Sequence, residues 1–222
     1  MKIFIVVPFY NEGKNIGKVV HGLLKYKLPI VLVDDGSKED HEFKITDFKL
    51  KNITLLTHKI NLGKGAAMKT GADYAFTNGA DAIIFMDGDN QHMPGDLPKF
   101  TERLESGRCD VVFGTRNYNS GVPLVRFLGN KFASVILTVL FGIYVSDVLC
   151  GFKALTKKAY EKIRWESVGY GVETEMVVRV GKTKLNFCEV PVASVYHDKV
   201  KGVTILDAVG IMGEIIKWRF TI

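Results

Sequence analysis

Cysteine is scarce in this 222-residue chain: Cys109, Cys150 and Cys188, an odd count with no C-x-x-C spacing. That argues against a disulfide framework and a zinc knuckle, and it predicts three buried thiols in a reducing cytoplasm. Long apolar runs are also missing. The longest charge-free apolar stretch, Phe132 to Ser146, is 15 residues. As a helix it reaches roughly 22 Å, short of the ~30 Å hydrocarbon core, so no spanning segment is expected. No signal peptide is expected either, because MKIFIVVPFYNE turns polar after nine residues and offers no small-residue cleavage site. Basic blocks interleaved with aromatics are absent, which counts against nucleic acid as a partner. Phosphate-loop signatures fail too. In NLGKGAAMKTG, Met68 stands where both GxxxxGK[ST] and GxGxxG require glycine. A P-loop ATPase and a dinucleotide dehydrogenase are disfavoured, and only a helix N-terminus facing an anion stays open there.

What is present suits one enzyme-sized domain. Hydrophobic residues make up 47% of the chain, enough for a core, and the net charge of +6 suits an anionic partner such as a nucleotide or an acidic membrane. Ile3–Val7, Ile30–Asp34, Ile53–Thr57 and Ala82–Met86 are short β-branched runs predicted as buried strands, with Asp110–Phe113 a fifth. Helical spacing joins Ile16, Val19, Val20, Leu23 and Leu24, and the small residues of Lys64–Phe76 suit a helix lying close on a sheet. Alternating strands and helices predict an α/β fold with a mostly parallel sheet covered on both faces. Further along, Val122–Tyr144 reads as an apolar helix interrupted by Arg126 and Lys131. Thr156–Ile163 and Glu173–Val180 read as helices, and Phe187–Val192 as a strand. The C-terminal segment is predicted to be amphipathic. Its stripe is Ile205, Val209, Met212 and Ile216, with Asp207 and Glu214 opposite.

Four polar clusters follow the first four strands: PFYNE (8–12), DDGS (34–37), NLGKG (61–65) and DGDNQH (87–92). Open α/β sheets bind ligands beyond the carboxyl ends of their strands, so these clusters share one functional edge. In an extended stretch Asp87, Asp89 and Gln91 point to one side. Adjacent carboxylates repel unless a cation stands between them, and hard oxygens suit Mg2+ or Mn2+. Gly88 would keep the space between the acids clear. His92 reads as a group behind the ligands or a ligand itself; His21, His41 and His58 read as ordinary residues, and His197 sits in a basic loop. For Asp34–Ser37 a turn and a nucleoside contact both fit, and for Asn11 and Glu12 a helix cap and a ribose contact both fit.

Together VVPFYNE, VDDGSKED, NLGKGAAMKTG, MDGDNQHMP, GTRN, SDVLCGFKALTKKAY and GYGVETEMVVR resemble, in order and spacing over residues 1–200, a family 2 glycosyltransferase of the GT-A fold. The likeness is to the dolichol-phosphate mannose synthase-like, polyprenyl-phosphate group. The resemblance implies a nucleotide-sugar half (1–115), an acceptor half (116–200) and the amphipathic helix (201–222). It implies that Pro8, Tyr10 and Glu12 border the nucleotide, Asp35 holds base or ribose, and Asp87, Asp89 and Gln91 bind metal and diphosphate. Arg116 would reach a phosphate, Asp147 would lie near the transferred sugar, and Arg126 would meet the acceptor phosphate. Where the family places an arginine followed by Gly-Ser-Lys, this chain has HDKVKGVT, so Lys199 or Lys201 would supply the charge. The transmembrane helices that often follow in this family are missing from the chain.

The expected reaction is inverting transfer of a sugar from a nucleotide diphosphate sugar to a polyprenyl or dolichyl phosphate, with Asp89, Asp147 and Arg126 at its centre. A lipid acceptor requires a membrane surface or a membrane-embedded partner. The apolar Val122–Tyr144 region and the C-terminal stripe, with Trp218 and Phe220 beside Lys217 and Arg219, resemble interfacial elements. Packing on the domain or a homodimer is the alternative use of these faces. Peripheral association with the cytoplasmic membrane face follows. The competing readings are transfer to a soluble or polysaccharide hydroxyl, which demands a general base, and a non-catalytic nucleotide-sugar-binding subunit.

Overall fold

The computed structural model describes residues 1–38, 52–116, 124–193 and 205–222; of 124–126 and 205–209 the backbone alone is described. The first half alternates as expected. It runs β1 (Ile3–Phe9), α1 (Lys14–Leu24), β2 (Ile30–Asp34), β3 (Ile53–Thr57), α2 (Lys64–Thr77) and β4 (Ala82–Phe85). Then come α3 (Leu97–Glu105), β5 (Val111–Arg116), α4 (Leu124–Phe141), β6 (Lys153–Thr156), α5 (Lys157–Ile163), α6 (Val172–Thr183), β7 (Phe187–Val192) and α7 (Ile205–Thr221).

The strands form one seven-stranded sheet in the order β3-β2-β1-β4-β6-β5-β7. All neighbours are parallel except β6, which runs antiparallel to both β4 and β5. Side chains alternate across the sheet. Ile3, Ile5, Val7 and Phe9 of β1 pack with α1 and α3 on one face, while Phe4 and Val6 pack with α2 and α4–α7 on the other. Fully burying one such aliphatic or aromatic side chain contributes about 1.5–3 kcal/mol, which is why these β-branched runs form buried strands. Gly71 lets α2 lie close, because a Cβ there would meet the side chains of Val6 and Val33. The chain order reverses between β1 and β4, and such a switch point opens a crevice at the strands' carboxyl ends.

Several expectations need correction. Cys109 and Cys188 are not two thiols: they pair as a disulfide between the entry to β5 and its neighbour β7, with Cα atoms 5.8 Å apart, a separation that suits a bridge. Cys150 alone is a buried free thiol. In α7 Ile215 and Trp218 are buried, and Ile211 and Met212 pack partly against the same core; of the expected stripe, the side chains of Ile205 and Val209 lie outside the described residues. Ile216 is exposed, and Trp218 (4% exposed) belongs to the core instead of an interface. Strand β6 was not anticipated, because it holds the charged Lys153, which is fully buried with Nζ donating to Val148 O at 2.9 Å. Nor was α3, short and mostly polar, whose Leu97, Phe100 and Leu104 nevertheless share one buried face. Thr156 caps α5 by accepting from the Ala159 N–H at 3.2 Å. No helix among the described residues is long and apolar enough to cross a membrane.

Candidate active site

The loops leaving β1, β2 and β3 are stitched together at the switch point. The Asn11 N–H donates to Ser37 Oγ and the Lys38 N–H to Asn11 Oδ1, both at 2.9 Å. Asn11 has φ 51°, a left-handed geometry that asparagine tolerates better than most residues. Gly13, not a side chain of Asn11 or Glu12, stands at the N-cap of α1. Glu12 accepts from Asn15 Nδ2 at 3.4 Å. Pro8 lies within the β1–β2 register opposite Val33, and Tyr10 is exposed at the rim. Asp35 is buried. Its carboxylate accepts from the Leu62 and Gly63 N–H groups at 2.9 and 2.8 Å and meets His58 Nδ1 at 2.7 Å. The His58 Nε2 is 3.0 Å from Thr70 Oγ1. Read from sequence as ordinary, His58 instead braces Asp35 against α2.

The acidic corner lies beyond β4. The chain is not extended here, as the sequence argument assumed; it turns at Gly88–Asn90, with Asn90 at φ 61°. Asp89 Oδ1 accepts the Gln91 N–H at 2.9 Å, closing the turn. Asp87 Oδ1 pairs with Lys64 Nζ at 2.7 Å, and Lys64 also reaches Glu173 Oε1 at 2.6 Å. On its other side Asp87 Oδ2 is 3.6 Å from the Nε2 of His92. His92 is 4% exposed and packs on the Phe152 ring, and its Nδ1 is buried without a hydrogen-bond partner. Gly88 does not separate the acids; a Cβ there would meet Phe9 on β1. It is at Gly151 that a Cβ would overlap the Asp87 carboxylate.

Charge in this corner is unevenly shared. Burial pushes the Asp87 carboxyl up, but Lys64 and then His92 outweigh it and hold the group well below the usual carboxylate range. Burial, and then the charge of Asp87, push Asp89 above its ordinary value. Lys64 is held above the usual lysine range: burial lowers it, and Asp87 and Glu173 together more than compensate. Asp89 is thus an acid whose ionisation a further cation would favour. Among the described residues no three of His, Cys, Asp and Glu gather closely enough to hold a metal unaided. Two carboxylates, an amide oxygen and substrate or water oxygens do match how Mg2+ and Mn2+ are bound beside phosphates, so the donor set fits a divalent ion.

Arg116, at the end of β5, forks onto Asp147: Nε to Oδ2 at 2.7 Å and Nη2 to Oδ1 at 2.8 Å, with its backbone N–H 3.1 Å from Oδ2. Asp147 is 0% exposed. Its loop is fixed by Asn130, whose Oδ1 accepts the Val148 N–H at 3.1 Å. Glu189 Oε1 also holds it, accepting from both the N–H and the hydroxyl of Ser146 at 2.7 Å. Glu175, a runner-up acid in sequence, is structural: it accepts the Glu166 and Ser167 N–H groups at 2.9 and 2.7 Å and pairs with Arg179 at 2.6 Å. Glu173, its neighbour two residues earlier, faces Lys64 instead. Among the residues assigned from sequence, Lys199 and Lys201 lie outside the described residues, as does the side chain of Arg126, although the backbone of Arg126 is in α4. Lys64 falls in the NLGKG cluster but its pairing with Asp87 and Glu173 had no sequence signal, and His58, Asn130, Gly151 and Glu189 carry none that distinguishes them from a cap, a turn or a surface charge.

This sheet order, switch point and acidic turn define a GT-A glycosyltransferase fold. Glucosyl-3-phosphoglycerate synthase of Mycobacterium tuberculosis, solved with Mn2+, UDP-glucose and phosphoglyceric acid, matches with TM-score 0.70. It is 18% identical over 98% of this chain and 78% of that one. The chain belongs to glycosyl transferase family 2, whose model matches residues 4–164, and it is a glycosyltransferase. It is 31% identical to the UDP-N-acetylglucosamine–dolichyl-phosphate N-acetylglucosaminyltransferase of Methanococcus voltae, over 88% of this chain and 86% of that protein. It is 26% identical to the polyprenol monophosphomannose synthase of Mycolicibacterium smegmatis, over 98% and 86%.

Proposed function

We propose that the chain transfers one sugar from a UDP- or GDP-linked donor to a polyprenyl or dolichyl phosphate. Transfer inverts the anomeric carbon, depends on Mg2+ or Mn2+, and takes place at the cytoplasmic membrane face. The observation that carries this reading is near full-length similarity to two transferases whose names specify polyprenol-type lipids. Residues 1–115 serve the donor and 116–200 the acceptor. Pro8, Tyr10 and Glu12 border the nucleotide, and Asp35 shapes its pocket through the loop it braces. Asp87, Asp89 and Gln91 hold the divalent ion. When bound, such an ion neutralises charge on the leaving diphosphate. Arg116, its Nε–Nη2 fork held by Asp147, brings an oriented positive charge toward a phosphate. The acceptor phosphate is already largely ionised near neutral pH, so no strong general base is required. Arg126 with Lys199 or Lys201 offsets the repulsion between the two anionic substrates.

Apolar faces supply the route to the lipid. On α4, Leu128, Phe132, Val135 and Val139 are exposed along one side, and on α7 Ile216 and Phe220 are exposed beside Lys217 and Arg219. Each basic residue at an anionic surface adds about 1 kcal/mol, so these faces suit peripheral contact with a bilayer or a membrane-embedded partner. The test is incubation with radiolabelled UDP- and GDP-sugars and polyprenyl phosphate, with and without EDTA. A lipid-linked product that EDTA suppresses is expected; no lipid product from any donor would overturn the reading.

A further inference from the structure

Lys64 opens α2 and Glu173 stands in the first turn of α6. Their contact depends on two helix starts converging beyond β4, so it has no counterpart in local sequence. Lys64 Nζ sits between Asp87 Oδ1 at 2.7 Å and Glu173 Oε1 at 2.6 Å, and the Glu173 side chain is almost fully enclosed. A lysine is a point charge on a flexible stem with three rotatable donors, so it can be shared by two acids and can shift between them. A divalent ion on the Asp87 oxygens would repel an ammonium held on the same oxygens. Glu173, already in contact with that ammonium at 2.6 Å, offers it a carboxylate to stay on when Asp87 is given up.

We propose that Lys64 is a resident counter-cation and positioning residue, which holds Asp87 in the metal-free protein and yields it to the divalent ion by moving fully onto Glu173. The inference rests on Asp87 and Asp89 being the metal ligands. It makes metal affinity the outcome of a competition within the protein, with Glu173 acting only through Lys64.

Mn2+ titration of the full chain, followed by electron paramagnetic resonance, tests it. Lys64→Met should bind Mn2+ about tenfold or more tightly, in line with the coupling of close charge pairs, and Glu173→Gln should bind it about tenfold more weakly because Lys64 is then committed to Asp87. In the double variant the Glu173→Gln effect should vanish, since two residues acting through one contact are not additive. Unchanged or weaker binding by Lys64→Met overturns the proposal. So does a Glu173→Gln effect that persists undiminished without Lys64, because the acid would then act through its own charge. If Lys64→Met does not fold, Glu173→Gln decides alone: unchanged or tighter binding overturns the proposal. Failure of the wild-type chain to bind Mn2+ removes the metal reading and this proposal with it. Wild-type binding with no shift in Lys64→Met removes the proposal only.

Discussion

Arg116 grips Asp147 through both carboxylate oxygens, at 2.7 and 2.8 Å, and the acid is completely enclosed beneath it. A buried carboxylate is tolerated only when paired and hydrogen-bonded. This pair therefore locks the last residue of β5 to the loop between α4 and β6. It fixes the direction of the one arginine on the exit of that strand, which is what recognition of a phosphate requires.

Removing one partner of such a pair leaves a buried charge. Asp147→Asn should lower the unfolding free energy by about 3 kcal/mol, read by urea denaturation, and should slow sugar transfer. Arg116→Lys should not restore the fork. A paired Arg116→Met/Asp147→Leu variant should recover most of the stability but not the activity, which separates orientation of the arginine from folding.

Gly151 lies where any side chain would displace the Asp87 carboxylate. Gly151→Ala should therefore weaken Mn2+ binding and transfer by at least about tenfold, with 1.4 kcal/mol of lost interaction sufficing. Gly213 has nothing within 4 Å of its would-be Cβ. Gly213→Ala should leave Mn2+ binding unchanged and raise stability by about 0.5–1 kcal/mol as a helix residue.

Thiol counting checks the cysteines. Burial, and then the charge of Asp147, push the Cys150 thiol up to about 12, so almost none of it is thiolate near neutrality. The native protein should be inert to an aromatic disulfide reagent. Unfolding without reductant should release one thiol, Cys150, and prior reduction should raise the count to three. Three thiols without reductant would contradict the Cys109–Cys188 bridge.

Glu175 gives a pH signature. Burial raises its carboxyl, but the Ser167 and Glu166 donors and Arg179 together pull it below its ordinary 4.5. A depressed acid stabilises the fold above its unfolded value and loses that contribution as pH falls through the folded value. Glu175→Gln should cost about 2 kcal/mol at pH 7, and the gap to the wild-type chain should narrow as pH falls below 4.5. A gap independent of pH would exclude the charge as its source.

The exposed apolar faces predict lipid binding. Val139 is 78% exposed and Phe220 84% exposed. Val139→Asp and Phe220→Asp should reduce co-sedimentation with vesicles containing anionic lipid, while shifting stability by only about 0.5 kcal/mol as surface changes do. Undiminished sedimentation would remove these faces from the membrane contact.

The strands most legible in sequence were β1, β2, β4 and the start of β5, whose continuous hydrophobic runs follow from burial on both faces of the sheet. Their polar exits were legible for the same reason: the runs stop where the sheet stops. The edge strands β3 and β7 are only partly buried and were legible from their β-branched and aromatic residues. Strand β6 was hidden because its lysine is satisfied by a carbonyl and an aromatic ring found only in the folded chain. On α7 the place of Trp218 was misjudged because an aromatic beside basic residues suits an interface, while the neighbours α4 and α6 decide which side of the helix is covered.

The chemistry divides in the same way. Residue order alone determined the α/β sheet, the shared edge and the family of motifs around Asp87 and Asp89, since hydrophobic period and turn composition are local properties. Tertiary structure decided how the acids are partnered. It placed Lys64 and Glu173 beside Asp87, His58 behind Asp35 and Arg116 on Asp147, contacts whose energies arise only when distant segments are desolvated together.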